Sequence, residues 1–166
     1  QSGGVDKLGV GGGDRNAERG PVDVDDEMLT MLKFANGAIG SIEATRNAYG
    51  RNNFLTFEIH GTKGSLAFNY ERRDELQVMF ADDVGDARGF RTVYTGPAHP
   101  YGSGLWPIPA LGIGYVETKI VECFDLCTAI VTGKQPSPNF EDGHRIALIA
   151  DAILTSGESS QWVDIP

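Results

Sequence analysis

The alternation of hydrophobic and polar positions is clearest over residues 29–46, which are predicted to form a β-hairpin. An Asn-Gly dipeptide at its centre is typical of a two-residue type I′ turn, which needs positive φ at both positions. This turn would pair Phe34 with Ile39 and Met31 with Ile42. One face would then carry Leu32, Phe34 and Ile39, and the other Leu29, Met31, Ile42 and Ala44. Both faces are partly apolar, so we expect cover on both sides.

Four more short segments with strand-like patterns follow the hairpin. They are Phe54–His60, Ser65–Tyr70, Glu75–Phe80 and Phe90–Tyr94. Turn residues connect them, a pattern that predicts consecutive antiparallel strands. With the hairpin, the sequence predicts six strands before any contribution from the chain ends.

The pattern changes to a helical period in the last third of the chain. Apolar residues recur every 3.6 positions over Tyr115–Thr132, which predicts a helix. Asn139 is a good N-cap, with Asp142 in the first turn, for a second helix that runs to about Ser156. This second helix is apolar most of the way round, so we expect it to be deeply buried. Residues 161–165 are expected to form a short closing strand.

These elements predict an α+β fold. We expect an open, mainly antiparallel β-sheet with two helices packed on one face, and the other face serving as an oligomer interface. Residues 1–23 are rich in glycine and are expected to form a loop or arm. The sheet domain is expected to span residues 24–166.

Composition and net charge limit the classes of binding partner and the cellular compartment that we expect for this chain. The chain has 166 residues, a net charge of −9 and a pI near 4.7, which argue against nucleic acid and anionic membranes as partners. No apolar run approaches the roughly 20 residues of a membrane span, and no secretory signal is recognisable. Cys123 and Cys127, the two cysteines, are expected to be reduced core thiols of a cytoplasmic protein.

The segment Gly96–Ala110 is dense in proline, glycine and aromatic residues, and is expected to be neither a helix nor a central strand. Its residues His99, Tyr101 and Trp106 are the candidates for substrate contact. An aromatic ring can stack on an apolar face of a ligand, and histidine or tyrosine can hydrogen-bond a hydroxyl group. The alternative is a stiff loop whose rings pack on the helix 115–132.

Other candidate residues have simpler interpretations. His60 and His144 are expected to be structural histidines. Arg46 and Arg51 flank a polar loop and could bind an anionic substrate, although solvated arginines are the alternative. The sequence has no Gly-x-Ser-x-Gly motif and no clustered His and Cys ligands, so neither a hydrolase nor a metal site is predicted.

Five stretches in this order resemble the C-terminal domain of the glucose–fructose oxidoreductase/inositol dehydrogenase (Gfo/Idh/MocA) family. They are Phe34–Gly40, Ile59–Leu66, Asn139–Arg145, Ala152–Ser156 and Trp162–Val163. The resemblance implies an NAD(P)-dependent oxidoreductase that acts on a sugar or cyclitol. In that family a Rossmann domain comes first, and a sheet domain like this one helps form the substrate pocket and builds a homo-oligomer through its sheet face.

The chain also departs from the family pattern. It contains no Glu-Lys-Pro motif, no Asp-x-x-x-His pair and no Gly-x-Gly-x-x-Gly fingerprint. We therefore expect no cofactor and no catalytic residue in this chain, with NAD or NADP bound by the full-length enzyme, and no turnover by the chain alone. The alternative is a non-catalytic, self-associating β-sheet module that binds carbohydrate or a partner subunit.

Overall fold

A computed structural model describes residues 16, 18, 20–21, 23–109 and 111–165. The chain forms two compact units that divide between Ala48 and Tyr49. In the described part of the chain the strands are β1 (Glu27–Lys33), β2 (Ile39–Thr45), β3 (Thr56–Gly61), β4 (Gly64–Asn69), β5 (Glu75–Phe80) and β6 (Arg91–Tyr94). The helices are α1 (Gly102–Leu105), α2 (Tyr115–Thr132) and α3 (Phe140–Ser159).

The α+β class and the antiparallel pairing are confirmed. The six predicted strands form a two-stranded sheet, β1–β2, and a four-stranded sheet, β3–β4–β5–β6. The expected glycine-rich arm at residues 1–23 lies almost entirely outside the described residues. Within those residues, no helix is both long enough and apolar enough to span a membrane.

The hairpin turn has three residues, so the predicted two-residue type I′ turn is wrong. The N–H of Phe34 donates to the carbonyl of Ala38 at 2.9 Å, and the N–H of Gly37 donates back to the carbonyl of Phe34 at 2.9 Å. Gly37 has a φ of 87°, whereas Asn36 keeps a negative φ and accepts from the N–H of Ala38 at 3.0 Å. A three-residue loop needs positive φ at one residue, which glycine supplies.

The changed register moves the hairpin pairs by one residue. Met31 pairs with Ser41 and Ile42 pairs with Thr30, so the prediction that Met31 and Ile42 share a face is wrong. One face, called the outer face below, carries Leu29 (75% exposed), Met31 (60%) and Ile39 (78%). The opposite face carries Met28, Thr30, Leu32, Ile42 and Ala44. Both faces therefore contain apolar side chains.

The four-stranded sheet separates apolar from polar residues. Phe57 pairs with Phe68, and Phe68 with Leu76, so apolar side chains of adjacent strands lie side by side. The apolar face carries Phe57, Ile59, Leu66, Phe68, Leu76, Val78 and Val93. The opposite face, called the polar face below, carries Thr56, Glu58, His60, Ser65, Asn69, Gln77 and Thr92, together with Ala67, Met79 and Tyr94. The division is incomplete on the apolar face too, where Arg91 lies opposite Val78. Period-two alternation in each strand produces this division.

The predicted cap of α3 is confirmed, but its predicted end is wrong. The side chain of Asn139 accepts from backbone N–H groups of the first turn, and its own N–H donates to Asp142 Oδ2 at 2.8 Å. The helix continues past Ser156 and Gly157 because the left-handed residue that ends it is Ser160. Residues 161–165 form no strand, so the predicted closing strand is also wrong.

The helices are less buried than their patterns predicted. On α3, Ile146 is 66% exposed and Leu154 is 55% exposed, so the prediction of a deeply buried helix is wrong. Cys123 and Cys127 on α2 are free and exposed, which contradicts the prediction of core thiols. An apolar stripe is buried only where another surface covers it, and the described residues do not supply that cover.

The turn between β3 and β4 depends on one glycine. Gly64 has a φ of 153°, and a Cβ at this position would collide with the carbonyl oxygen of Met79. Gly89 has a similar φ of 150° but no atom within 4 Å of a built Cβ. At both positions a residue other than glycine would be strained by the positive φ. Only at Gly64 would its Cβ also collide with a neighbouring atom.

We expect Gly64→Ala to lower the free energy of unfolding by about 2 kcal/mol more than Gly89→Ala, because overpacking adds to the shared strain. Urea denaturation of the two variants measures the difference. Equal losses would show that the β4–β5 ladder accommodates a methyl group.

Candidate functional site

The candidate substrate loop leads from β6 to α2 and folds through two tight turns. The N–H of His99 donates to the carbonyl of Gly96 at 3.0 Å, and the N–H of Gly102 donates to the carbonyl of His99 at 2.8 Å. Gly102 is buried, and a Cβ there would collide with the Gly96 carbonyl oxygen. The four-residue helix α1 starts at Gly102, so the prediction of a loop without helix is wrong. Glycine permits the close backbone contact that this path needs.

Trp106 anchors the loop. It is 5% exposed, and among the residues that the structure describes it is the one hydrophobic residue that is buried. Its indole Nε1–H donates to the carbonyl of Gly112 at 2.6 Å, which closes the segment that leads into α2. With its ring buried and its N–H in use, Trp106 holds the loop together, and this placement does not favour stacking on a sugar.

His99 presents one ring nitrogen to solvent. Its Nδ1 accepts from the N–H of Gly96 at 3.1 Å. In a neutral imidazole the proton then lies on Nε2. His99 is exposed, so this Nε2–H is a donor that a ligand could reach.

Tyr101 contacts α2 through both its hydroxyl group and its ring. Its hydroxyl donates to Asp125 Oδ2 at 3.0 Å, and its ring lies edge-on to Phe124 with 6.3 Å between ring centroids. The hydrogen bond and the charge of Asp125 raise the pKa of Tyr101 above the ordinary value of a tyrosine, which already leaves the phenol neutral at physiological pH. The alternative interpretation is a loop whose rings pack on α2. The ring of Tyr101 makes such a contact.

Sequence reasoning missed Asp125. It lies 24 residues after Tyr101, and on the helix pattern it is one more polar position beside an apolar stripe. No local motif links a loop tyrosine to a helix aspartate, because their contact depends on how the loop turns at Gly102.

Of the remaining candidates, His60 and Arg51 have local partners, while His144 and Arg46 are exposed. His60 Nδ1 lies 2.9 Å from Ser65 Oγ, and its Nε2 lies 3.3 Å from Glu58 Oε1. Arg51 lies 3.4 Å from Glu71 Oε2, which neutralises the charge that an anionic substrate would need. These contacts fit structural roles at exposed positions.

A shallow depression lies on the polar face of the four-stranded sheet. Arg72 and Glu75 there pair with each other at 3.0 Å, and Gln77 donates to a neighbouring threonine at 2.9 Å. The described residues contain no cluster of three or more His, Cys, Asp or Glu side chains suited to a metal ion. Nor do they contain a parallel strand that leads through a glycine-rich turn into a helix.

The two tryptophans of the chain provide a test of the loop anchor. Trp106 is buried, whereas Trp162 is 74% exposed. We expect Trp106→Phe to lower the free energy of unfolding by about 2 kcal/mol, through a lost hydrogen bond and a cavity. Trp162→Phe should change it by less than about 0.5 kcal/mol.

Urea denaturation followed by circular dichroism measures both variants without relying on tryptophan emission. Equal stabilities would show that Trp106 does not anchor the loop.

Known proteins match both the sequence and the fold. The sequence-family model of the GFO/IDH/MocA C-terminal domain matches residues 7–67 of this chain. Levoglucosan dehydrogenase from Pseudarthrobacter phenanthrenivorans is 68% identical over 167 residues, covering 100% of this chain and 42% of that protein.

Solved structures give the same result. Levoglucosan dehydrogenase in complex with NADH and levoglucosan has a TM-score of 0.85 and 70% identity, covering 89% of this chain and 40% of that one. An oxidoreductase domain protein from Kribbella flavida has a TM-score of 0.84 and 43% identity, covering 89% and 39%. The chain thus spans about two fifths of the length of these relatives. The predicted resemblance to the GFO/IDH/MocA C-terminal domain is confirmed.

Proposed function

We propose that this chain is the substrate-binding and oligomerisation part of an NAD-dependent oxidoreductase that acts on a neutral sugar. The observation that carries the proposal is the 68% identity to levoglucosan dehydrogenase over the whole of this chain. A levoglucosan dehydrogenase has been solved in complex with NADH and levoglucosan, so levoglucosan is the substrate to test first. A cytoplasmic location fits this proposal because NAD is available there.

Substrate contact is assigned to the loop between β6 and α2. His99 offers an N–H donor, and Tyr101 is 46% exposed beside Asp125. Trp106 holds the backbone of the loop in place through its hydrogen bond to the carbonyl of Gly112. Sugars combine hydroxyl groups with apolar C–H faces, and histidine and tyrosine can contact both.

Oxidation is assigned to residues outside this chain. Hydride transfer needs a nicotinamide held against the reacting carbon and a group that takes the hydroxyl proton. The sequence lacks the dinucleotide fingerprint and both catalytic motifs of the family. The isolated chain is therefore proposed to be inactive.

We expect a chimera, in which this chain replaces the matching region of levoglucosan dehydrogenase, to reduce NAD with levoglucosan at a kcat/KM within about tenfold of the parent enzyme. The matched region is 68% identical, so the pocket wall should be largely preserved. NADH formation is followed by absorbance.

The isolated chain, assayed at the same concentration, should give no NADH above the enzyme-free rate. A folded chimera without turnover would contradict the proposed function. Turnover by the isolated chain would contradict the assignment of hydride transfer to residues outside this chain.

Self-association is assigned to the outer face of the hairpin. Leu29, Met31 and Ile39 form an apolar surface of three side chains, each at least 60% exposed. Exposed apolar surfaces of this kind mark interaction sites, and the resemblance to the family implies a sheet face on sheet face. The proposed partner is a second copy of the chain.

We expect Ile39→Lys to weaken self-association of the chimera by at least about tenfold, because a lysine buried in an apolar interface lacks a partner. Val84→Lys is the matched control, since Val84 and Ile39 are both 78% exposed. Sedimentation velocity over a concentration series measures the effect. A monomeric chimera, or equal weakening by both variants, would exclude this face.

A further inference from the structure

The contact between Tyr101 and Asp125 joins two parts of the second unit that are far apart in sequence. The 3.0 Å hydrogen bond runs from the phenol to Oδ2 of the carboxylate. Tyr101 is 46% exposed and Asp125 is half-buried, so both polar groups remain within reach of a ligand. The carboxylate oxygen Oδ1 is left with no described partner in this contact.

The backbone holds the tyrosine in an unusual conformation. Tyr101 has a φ of 62°, which is uncommon for a residue other than glycine. Such a conformation persists where the surroundings fix it, and it occurs most often at functional sites. Here Gly102 is pinned against the Gly96 carbonyl, while Phe124 contacts the ring edge-on. The loop therefore directs the phenol to Asp125.

The direction of the hydrogen bond determines what the pair can recognise. The phenol proton is committed to Asp125, so the tyrosine oxygen keeps only lone pairs for a ligand. The carboxylate offers further lone pairs and a negative charge. A tyrosine is protonated at neutral pH and the contact with Asp125 raises its pKa further, so the phenol remains the donor of this hydrogen bond. The pair thus presents hydrogen-bond acceptors without a donor.

We propose that Tyr101 and Asp125 form a subsite that accepts hydrogen bonds from a substrate hydroxyl group and selects neutral polyols over anionic sugars. This inference rests on the proposed function, and it names Asp125 as the residue that determines specificity. A ligand hydroxyl donates to Asp125 Oδ1 or to the tyrosine oxygen. A ligand carboxylate has no proton to donate and is repelled by Asp125.

The test measures levoglucosan binding to the NADH-bound chimera by calorimetry, in parallel with turnover. We expect Asp125→Asn to raise the Kd about tenfold, since hydrogen bonds to charged acceptors are the stronger ones. Tyr101→Phe should raise it several-fold. Asp86→Asn, which removes a carboxylate from an exposed turn, is the matched control and should leave the Kd unchanged.

A series of monodeoxy levoglucosans separates direct contact from a structural role. If Asp125 accepts from one hydroxyl group, the analogue that lacks this group binds the parent and Asp125→Asn chimeras equally. If Asp125→Asn weakens the binding of every analogue by the same factor as it weakens the binding of levoglucosan, the subsite is overturned. That result would show that the Tyr101–Asp125 contact only ties the loop to α2. Glucuronate, used as an anionic probe, should bind Asp125→Asn more tightly than the parent chimera.

The binding measurement also separates this inference from the proposed function. A chimera that binds levoglucosan in an Asp125-dependent manner but does not reduce NAD would support the subsite and contradict the oxidoreductase. A chimera that does not bind levoglucosan would overturn the subsite.

Discussion

The candidate site depends on the burial of one indole ring. Trp106 is the hydrophobic side chain that the described residues remove from water, and its N–H donates to the carbonyl of Gly112. A buried donor without a partner costs about 1–3 kcal/mol, so the ring and this carbonyl fix each other's position. His99 and Tyr101 precede the ring, and α2 follows the carbonyl. The closure therefore determines where the polar side chains of the loop meet the helix.

Much of the remaining apolar surface has no comparable closure. The outer face of the hairpin and the apolar stripes of α2 and α3 stay exposed in the described chain. A stripe at helical or strand spacing indicates that a covering surface exists, but it does not say which molecule provides it. This is why the type of each long element followed from its pattern while its depth of burial did not.

The sequence predicted most elements because their signals are local. Asn139 and Asp142 mark the start of α3 through hydrogen bonds within one turn. The alternation of Phe57 and Ile59 fixes their face of β3. The hairpin register failed because Asn-Gly fits both a two-residue turn and a three-residue turn with one glycine at positive φ.

The candidate site was less predictable, because its contacts cross long stretches of chain. His99 and Tyr101 could be proposed from residue type and loop context. Trp106 shares both properties, yet it is buried, and composition does not separate an aromatic anchor from an exposed ring. Asp125 carried no signal, since its contact with Tyr101 arises from the turn at Gly102.

The positions of protons, more than the residue types, determine the chemistry of this surface. His99 receives a backbone N–H on Nδ1 and so offers a donor at Nε2. The Tyr101 hydroxyl group donates its hydrogen bond to Asp125, and so this pair offers acceptors. A polyol can satisfy both arrangements because each hydroxyl group donates and accepts. A sugar acid would place its charge near a carboxylate in a chain whose net charge is already −9. The proposed preference for a neutral substrate therefore rests on the same hydrogen bond that orients the tyrosine.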